Sequence, residues 1–193
     1  MSARTTSWQL SRLDQAAPVP WRNGGGITHE LAAWPDLSAW RWRISVAEVA
    51  QDGPFSRFEG IDRHFAVLSG AGVCLAFADR TVTLTAQDPV FSFAGDAACD
   101  CRLLAGPTLD FNLMCQGMQA RLERFTRTAW HLQAKPGDTV GFYAIEPAQL
   151  HAADAHLTVP AHTLCWAQLQ HPTPVAVTGD SFLGWTLTAA HPR

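Results

Sequence analysis

The sequence predicts an all-β protein, a sandwich or barrel of many short strands. Three observations carry this reading. Short apolar runs recur at close, regular spacing, turns rich in Gly, Pro and Asp separate them, and no long stretch has helical periodicity. The run 40–49 is the clearest case. Trp40, Trp42, Ile44 and Val46 fall on one parity, and Arg41, Arg43, Ser45 and Ala47 on the other. A strand separates the two sets onto opposite faces, whereas a helix would scatter them.

Taken in order, residues 7–13 read as a first short strand. A second begins near Ile27 and breaks at Trp34-Pro35-Asp36, and the turn Gln51-Asp52-Gly53-Pro54 closes the third. Strands are expected over 65–68, 73–78, 81–85, 90–93, 99–104 and 109–114. Ser69-Gly70-Ala71-Gly72, Ala78-Asp79-Arg80, Gln87-Asp88-Pro89 and Gly106-Pro107 lie between them. Residues 119–125 and 128–132 read as two further strands. Residues 140–145, 164–169, 175–178 and 182–188 complete the set, while the Ala-rich stretch 146–156 is expected to hold a helical turn. Gly117 is the expected internal boundary. It divides a first β unit, 1–117, from a shorter second unit, 118–193, the two sharing a core.

Composition narrows the function classes. The chain has 193 residues, 47% of them hydrophobic, which argues for a real core and against disorder. A net charge of -3 gives no electrostatic reason to bind nucleic acid. No apolar run reaches membrane length, and residues 1–15 lack the apolar region of a signal peptide, so a cytoplasmic protein is expected. Five cysteines without a Cys-x-x-Cys pair read as reduced thiols rather than zinc ligands.

Pro20-Trp21-Arg22-Asn23-Gly24-Gly25-Gly26 is the densest chemical segment. It joins a large ring, a fixed cation and an amide to glycines that let a backbone approach a ligand closely. It is either a loop that closes over a polar anion or a tight turn plugged by Trp21. No Gly-Lys-Ser/Thr follows, and the next element is a strand, so it is not a phosphate-binding P-loop.

A small jelly-roll of this kind suggests the cupins, whose barrels hold a metal on three His and a Glu. Spacing back from Gly70 puts Arg57, Glu59 and Arg63 at the first three ligand positions, and Ala98 at the last. An arginine that stays protonated cannot donate a lone pair to a metal, and two of them repel a cation. No catalytic metal is expected in this barrel. A pocket lined by Arg57 and Arg63 would instead attract a carboxylate, with Glu59 balancing one guanidinium. The bland alternative is a pair of structural salt bridges. Asp110 and Asn112 share one strand face, and Arg102 is expected to point inward opposite packed Cys99 and Cys101.

Further segments carry a family resemblance. They are the Trp21-Arg22-Asn23 glycine segment, Trp42-Arg43-Ile44-Ser45-Val46-Ala47-Glu48-Val49, Asp52-Gly53-Pro54-Phe55-Ser56-Arg57-Phe58, Gly60-Ile61-Asp62-Arg63, and Asp110-Phe111-Asn112-Leu113-Met114. In that order, across about residues 18 to 115, the chain resembles the HutD/Ves family. The resemblance implies a bicupin-like fold with no known enzyme activity and an association with bacterial histidine utilisation. It further implies moderation of that pathway by sensing an intermediate such as formylglutamate or formiminoglutamate. The shared residues it implies are Trp21, Asn23, Arg43, Ser45, Arg57, Asp62, Arg63 and Asn112. A basic pair frequent in the family after this last segment is absent, and Cys115-Gln116-Gly117-Met118 stands there.

The expected function is that of a binding protein with no cofactor. Arg57 and Arg63, aided by Arg43, hold a small carboxylate, Asn23 and Asn112 read an amide or formimino group, and Trp21 covers the apolar stem. The alternative is an enzyme on a small carboxylate with Glu59 or Asp62 as general base. A third reading is an interaction module whose arginines pair only with local acids. Exposed strand edges are compatible with a homodimer.

Overall fold

A computed structural model describes residues 6–189. Among them the regular structure is strand, apart from one 3-10 turn at Leu13–Gln15. The chain divides into two compact units. Residues 16–116 form one. Residues 117–189 form the other, together with the N-terminal stretch 6–15. The division falls between Gln116 and Gly117, and the N-terminal strand β1 (Gln9–Arg12), expected in the first unit, pairs antiparallel with a strand of the other.

The 16–116 unit contains β2 (Pro18–Pro20), β3 (Gly26–Trp34), β4 (Trp42–Val49), β5 (Gly53–Pro54), β6 (Asp62–Ser69), β7 (Val73–Ala76), β8 (Thr81–Leu84), β9 (Phe91–Ala94), β10 (Asp100–Leu103) and β11 (Thr108–Cys115). They form a six-stranded sheet in the order β2-β3-β4-β11-β6-β9 and a four-stranded sheet in the order β5-β10-β7-β8. One hydrophobic cluster draws on both sheets, joining Val49, Phe65 and Phe93 of the larger to Val73, Leu75 and Cys101 of the smaller. The central strands β4, β6 and β11 are buried on both faces. Their inward parity is therefore hidden from water even where its residues are polar.

Gly26 and Gly70 are among the glycines that close approach requires. A Cβ on Gly26 would stand 2.4 Å from the Glu48 carbonyl oxygen and 3.2 Å from the Trp21 ring. Gly70 has φ +94°, and its Cβ would meet the Pro107 oxygen at 2.6 Å. The first lets the glycine segment lie against β4, and the second fixes the end of β6 against the start of β11.

The other unit contains β12 (Met118–Ala134), β13 (Thr139–Ala144), β14 (Ala148–Ala152), β15 (Ala155–Val159), β16 (Thr163–Gln168) and β17 (Thr173–Ala189). With β1 they make one sheet in the order β1-β16-β13-β17-β14-β15, and β12 pairs along β17. Its own cluster includes Phe142, Leu150, Val177 and Phe182. The two strands expected over 119–132 are one, β12. The residue that made them look separate is Arg127, at φ 50°, where the β12–β17 ladder skips a pair. The expected helical turn over 146–156 is instead the hairpin β14–β15. Ala148, Leu150 and Ala152 alternate inward there, so burial on a half-covered sheet overrides the helix propensity of alanine.

Candidate functional site in the 16–116 unit

Antiparallel pairing places residues directly opposite one another on the same face. One row of the larger sheet runs Arg43 (β4), Met114 (β11), Arg63 (β6), Phe93 (β9). The next runs Glu30 (β3), Ser45, Asn112, Phe65, and a third runs Thr28, Ala47, Asp110, Val67. This is the face that carries the hydrophobic cluster, so the register delivers two arginines, two acids and an asparagine into an apolar interior.

Arg63 is the centre of the arrangement. It is 5% exposed, and its Nη2 donates to Asn112 Oδ1 at 2.9 Å. Its Nη1 makes a longer bond, 3.4 Å, to the Ser56 carbonyl oxygen, and Nε has no partner. Aromatic faces surround the guanidinium: Phe93 at 4.9 Å, Phe55 at 5.1 Å and Phe58 at 6.0 Å. Among the described residues no carboxylate forms an ion pair with it. Burial, with a smaller push from Arg43, lowers its pKa to about 10, against a small opposing effect of the Cys99 thiol.

Arg43 is handled differently. Its Nη1 donates to Glu30 Oε1 at 3.0 Å, and its guanidinium lies over Trp40 and Phe58. Burial lowers its pKa and Glu30 partly restores it. The pair Arg43–Glu30 is neutral, which leaves Arg63 as the uncompensated charge. Of the three arginines expected to converge, Arg43 and Arg63 lie in one row with Met114 between them, whereas Arg57 is exposed and outside that row.

Asp110 is the second electrostatic anomaly. It is fully buried, and burial pushes its pKa up to about 7, opposed by the hydrogen bond from Thr108 Oγ1 at 3.0 Å. Its Oδ1 has no partner.

The remaining expected residues divide. Ser45 and Asn112 are buried beside the arginines. Trp21 is half-buried, donates from Nε1 to Thr28 Oγ1 at 2.7 Å, and meets Phe55 edge-on at 6.3 Å. It is thus one ring removed from Arg63. Asn23 is exposed and accepts from the Gly25 N–H, so it shapes its own loop. Arg57, Glu59 and Asp62 are also exposed, and Arg57 Nε donates to the Asp96 carbonyl oxygen. Spacing back from Gly70 put the first two at ligand positions of the barrel, but β6 begins only at Asp62, so no strand carries 57 and 59 inward. Asp62 lies in the strand, on the parity opposite Arg63. Arg102 is exposed as well, while Cys99 and Cys101 turn into the core.

A cupin metal does not fit this set. Of the four positions that spacing assigns to ligands, Arg57, Glu59 and Ala98 are exposed, and the one buried member, Arg63, is a guanidinium. Glu30, Asp110 and the Phe55–Phe58–Phe93 box were not assigned from the sequence. One signal for them was present. Thr108, Asp110 and Asn112 are polar at alternate positions of a strand whose other parity is Leu109, Phe111 and Leu113.

Comparison with known proteins places the chain in a family. The chain is 35% identical over 125 residues to an uncharacterised 21.2 kDa protein in the hutC 3' region of Pseudomonas putida, covering 63% of this chain and 66% of that one. It is 33% identical over 112 residues to the protein Ves of Escherichia fergusonii, covering 56% of this chain and 59% of the relative. Each match therefore spans less than two thirds of the relative. Among solved structures, HutD from Pseudomonas fluorescens SBW25, in a formate condition, superposes with a TM-score of 0.83 at 26% identity, over 96% of this chain and all of that one. A cupin 2 conserved barrel domain protein from Leptotrichia buccalis shares the fold alone, at a TM-score of 0.52 and 11% identity, over 91% of this chain and 97% of that one. The architecture is all-β and cupin-like, and the expected resemblance is met. The HutD family model spans residues 14–184, and the chain belongs to the HutD family.

Proposed function

We propose that the 16–116 unit binds a small carboxylate at Arg63, without a metal. The observation that carries the reading is the buried guanidinium with no ion-pair partner among the described residues. An uncompensated buried cation costs several kcal/mol, roughly, and an anion is what removes that cost. Asn112 fixes one edge of the guanidinium, the aromatic box holds its plane, and the free Nε remains to donate to a carboxylate oxygen. Arg43 is already neutralised by Glu30, which leaves the Arg63 guanidinium as the group for a carboxylate to pair with.

The relative in the hutC 3' region and membership of the HutD family support a ligand drawn from histidine utilisation. In this reading the protein senses a formylated or formiminated glutamate and moderates that pathway. A bicupin arrangement of two β units belongs to the same proposal. The enzyme alternative, with Glu59 or Asp62 as base, gains nothing from the geometry, because both are exposed whereas Arg63 is buried.

The test is a thermal-shift and calorimetric panel on metal-stripped protein with formylglutamate, formiminoglutamate, urocanate, histidine, glutamate and formate. A ligand at a hundred times its dissociation constant stabilises by about 2.7 kcal/mol. A selective shift that disappears in Arg63→Ala is the expected result. Folded wild-type protein that responds to none of the panel would remove the sensor reading.

A further inference from the structure

The second unit carries a separate cluster of side chains. His151, on β14, and His156, on β15, are directly opposed in a hairpin turned by Ala153 and Asp154. Their Nδ1 atoms stand 2.9 Å apart, and both rings are exposed. On the other side of His151, Ala176 of β17 separates it from His131 of β12, so the three histidines lie in one row on one sheet face. A cavity of about 330 Å³ opens along that row, lined by His131, Gln133, His151, Val175 and Ala176.

We propose that His151 and His156 form a surface site for a divalent transition metal of the imidazole-preferring class, Zn²⁺, Ni²⁺ or Cu²⁺. Two ring nitrogens in such contact hold one proton between them, one ring donating and the other accepting, so the two Nδ1 atoms face each other. A metal ion takes the place of that proton. With tetrahedral Zn–N bonds of about 2.0–2.1 Å the two nitrogens stand about 3.3 Å apart, so they need to separate by about 0.4 Å while each ring turns to bring its lone pair onto the ion. The two-residue hairpin turn holds the pair close together before metal arrives. It therefore has less freedom to lose on binding than two unlinked surface histidines.

His131 is two ladder steps from His151, about 9–10 Å, too far to join the same coordination sphere. Accordingly, no group of three or more His, Cys, Asp or Glu among the described residues is placed round one ion. Two protein ligands leave coordination positions open, and the cavity beside His151 gives water or a small donor ligand room to fill them. Ions should follow the order expected for nitrogen donors, Cu²⁺ tighter than Ni²⁺ or Zn²⁺.

The test titrates chelator-treated, full-length protein with Cu²⁺ and Zn²⁺, read by calorimetry and, for Cu²⁺, by electron paramagnetic resonance. The expected result is one ion per chain, a nitrogen hyperfine pattern from two imidazoles, and affinity lower by about tenfold or more in His151→Ala and in His156→Ala. His131→Ala should retain wild-type affinity. All three positions are exposed, and an unchanged denaturation midpoint confirms that each variant is folded. Wild-type affinity equal to that of the His151→Ala/His156→Ala double variant would overturn the proposal. So would a loss in His131→Ala as large as that in His151→Ala.

Discussion

Replacing Arg63 with methionine tests the logic of the candidate site most directly. The folded protein lowers the Arg63 pKa from 12.5 to about 10, chiefly through burial. At about 1.4 kcal/mol per pKa unit, the cationic form carries a cost of about 3 kcal/mol in the unliganded protein. The sign follows from the direction. A base whose folded pKa is depressed bears its full cost at every pH below the folded value, so the cost is constant from pH 6 to pH 8. Methionine removes the charge and keeps a polarisable chain against Phe55 and Phe93. It also deprives Asn112 Oδ1 of its donor, which returns about 1–2 kcal/mol of the gain. The net expectation for Arg63→Met is stability equal to wild type or about 1–2 kcal/mol higher, a rise in midpoint temperature of a few degrees. Urea denaturation followed by tryptophan fluorescence at pH 7 measures it. Carboxylate-induced stabilisation should vanish in the same variant. A folded Arg63→Met protein that is less stable than wild type by about 2 kcal/mol or more would refute the argument, because the guanidinium would then belong to the core rather than to a ligand.

Two further outcomes follow from neighbouring residues. The Asp110 carboxyl has its folded pKa raised from 3.8 to about 7, so its contribution to stability is fully present below about pH 4 and gone once the pH has risen through 7. Asp110→Asn keeps the position neutral and should flatten the stability–pH profile over this window, with a gain at pH 8 of up to about 4 kcal/mol, measured by denaturant titration at several pH values. Gly26→Ala places a Cβ 2.4 Å from a backbone oxygen and 3.2 Å from the Trp21 ring. It should destabilise by about 1–3 kcal/mol and alter the fluorescence of Trp21.

The parts of the fold legible in the sequence were those where local pattern and tertiary burial agree. In β4 the alternation from Trp42 to Val49 survives intact, and Gly70 ends β6 as its spacing implied. Arg63, Arg43, Ser45 and Asn112 could be placed because each lies inside a regular strand, where parity fixes direction. Arg57 and Glu59 could not, because residues 55–61 follow an irregular path into β6, and counting by twos fails outside a strand. Glu30 was invisible for another reason. A bulge at Leu31 shifts the β3–β4 register, and only the folded ladder brings Glu30 opposite Ser45 and within reach of Arg43. The hairpin at 148–159 was obscured because alanine favours a helix alone and tolerates a strand when one face is covered.

The pairing of β1 with β16 makes the 16–116 unit an insertion within its host. Residues 9–12 must wait for partners at 163–166, which leave the ribosome roughly 150 residues later. The inserted unit is contiguous and has all its strands as soon as β11 is made, so it can fold during synthesis while the first strand stays single. The topology thus allows residues 16–116 to assemble before β1 meets β16. An expressed fragment of residues 16–116 retains every strand of its unit, whereas a fragment beginning at Gly117 lacks an edge strand unless β1 is grafted to it.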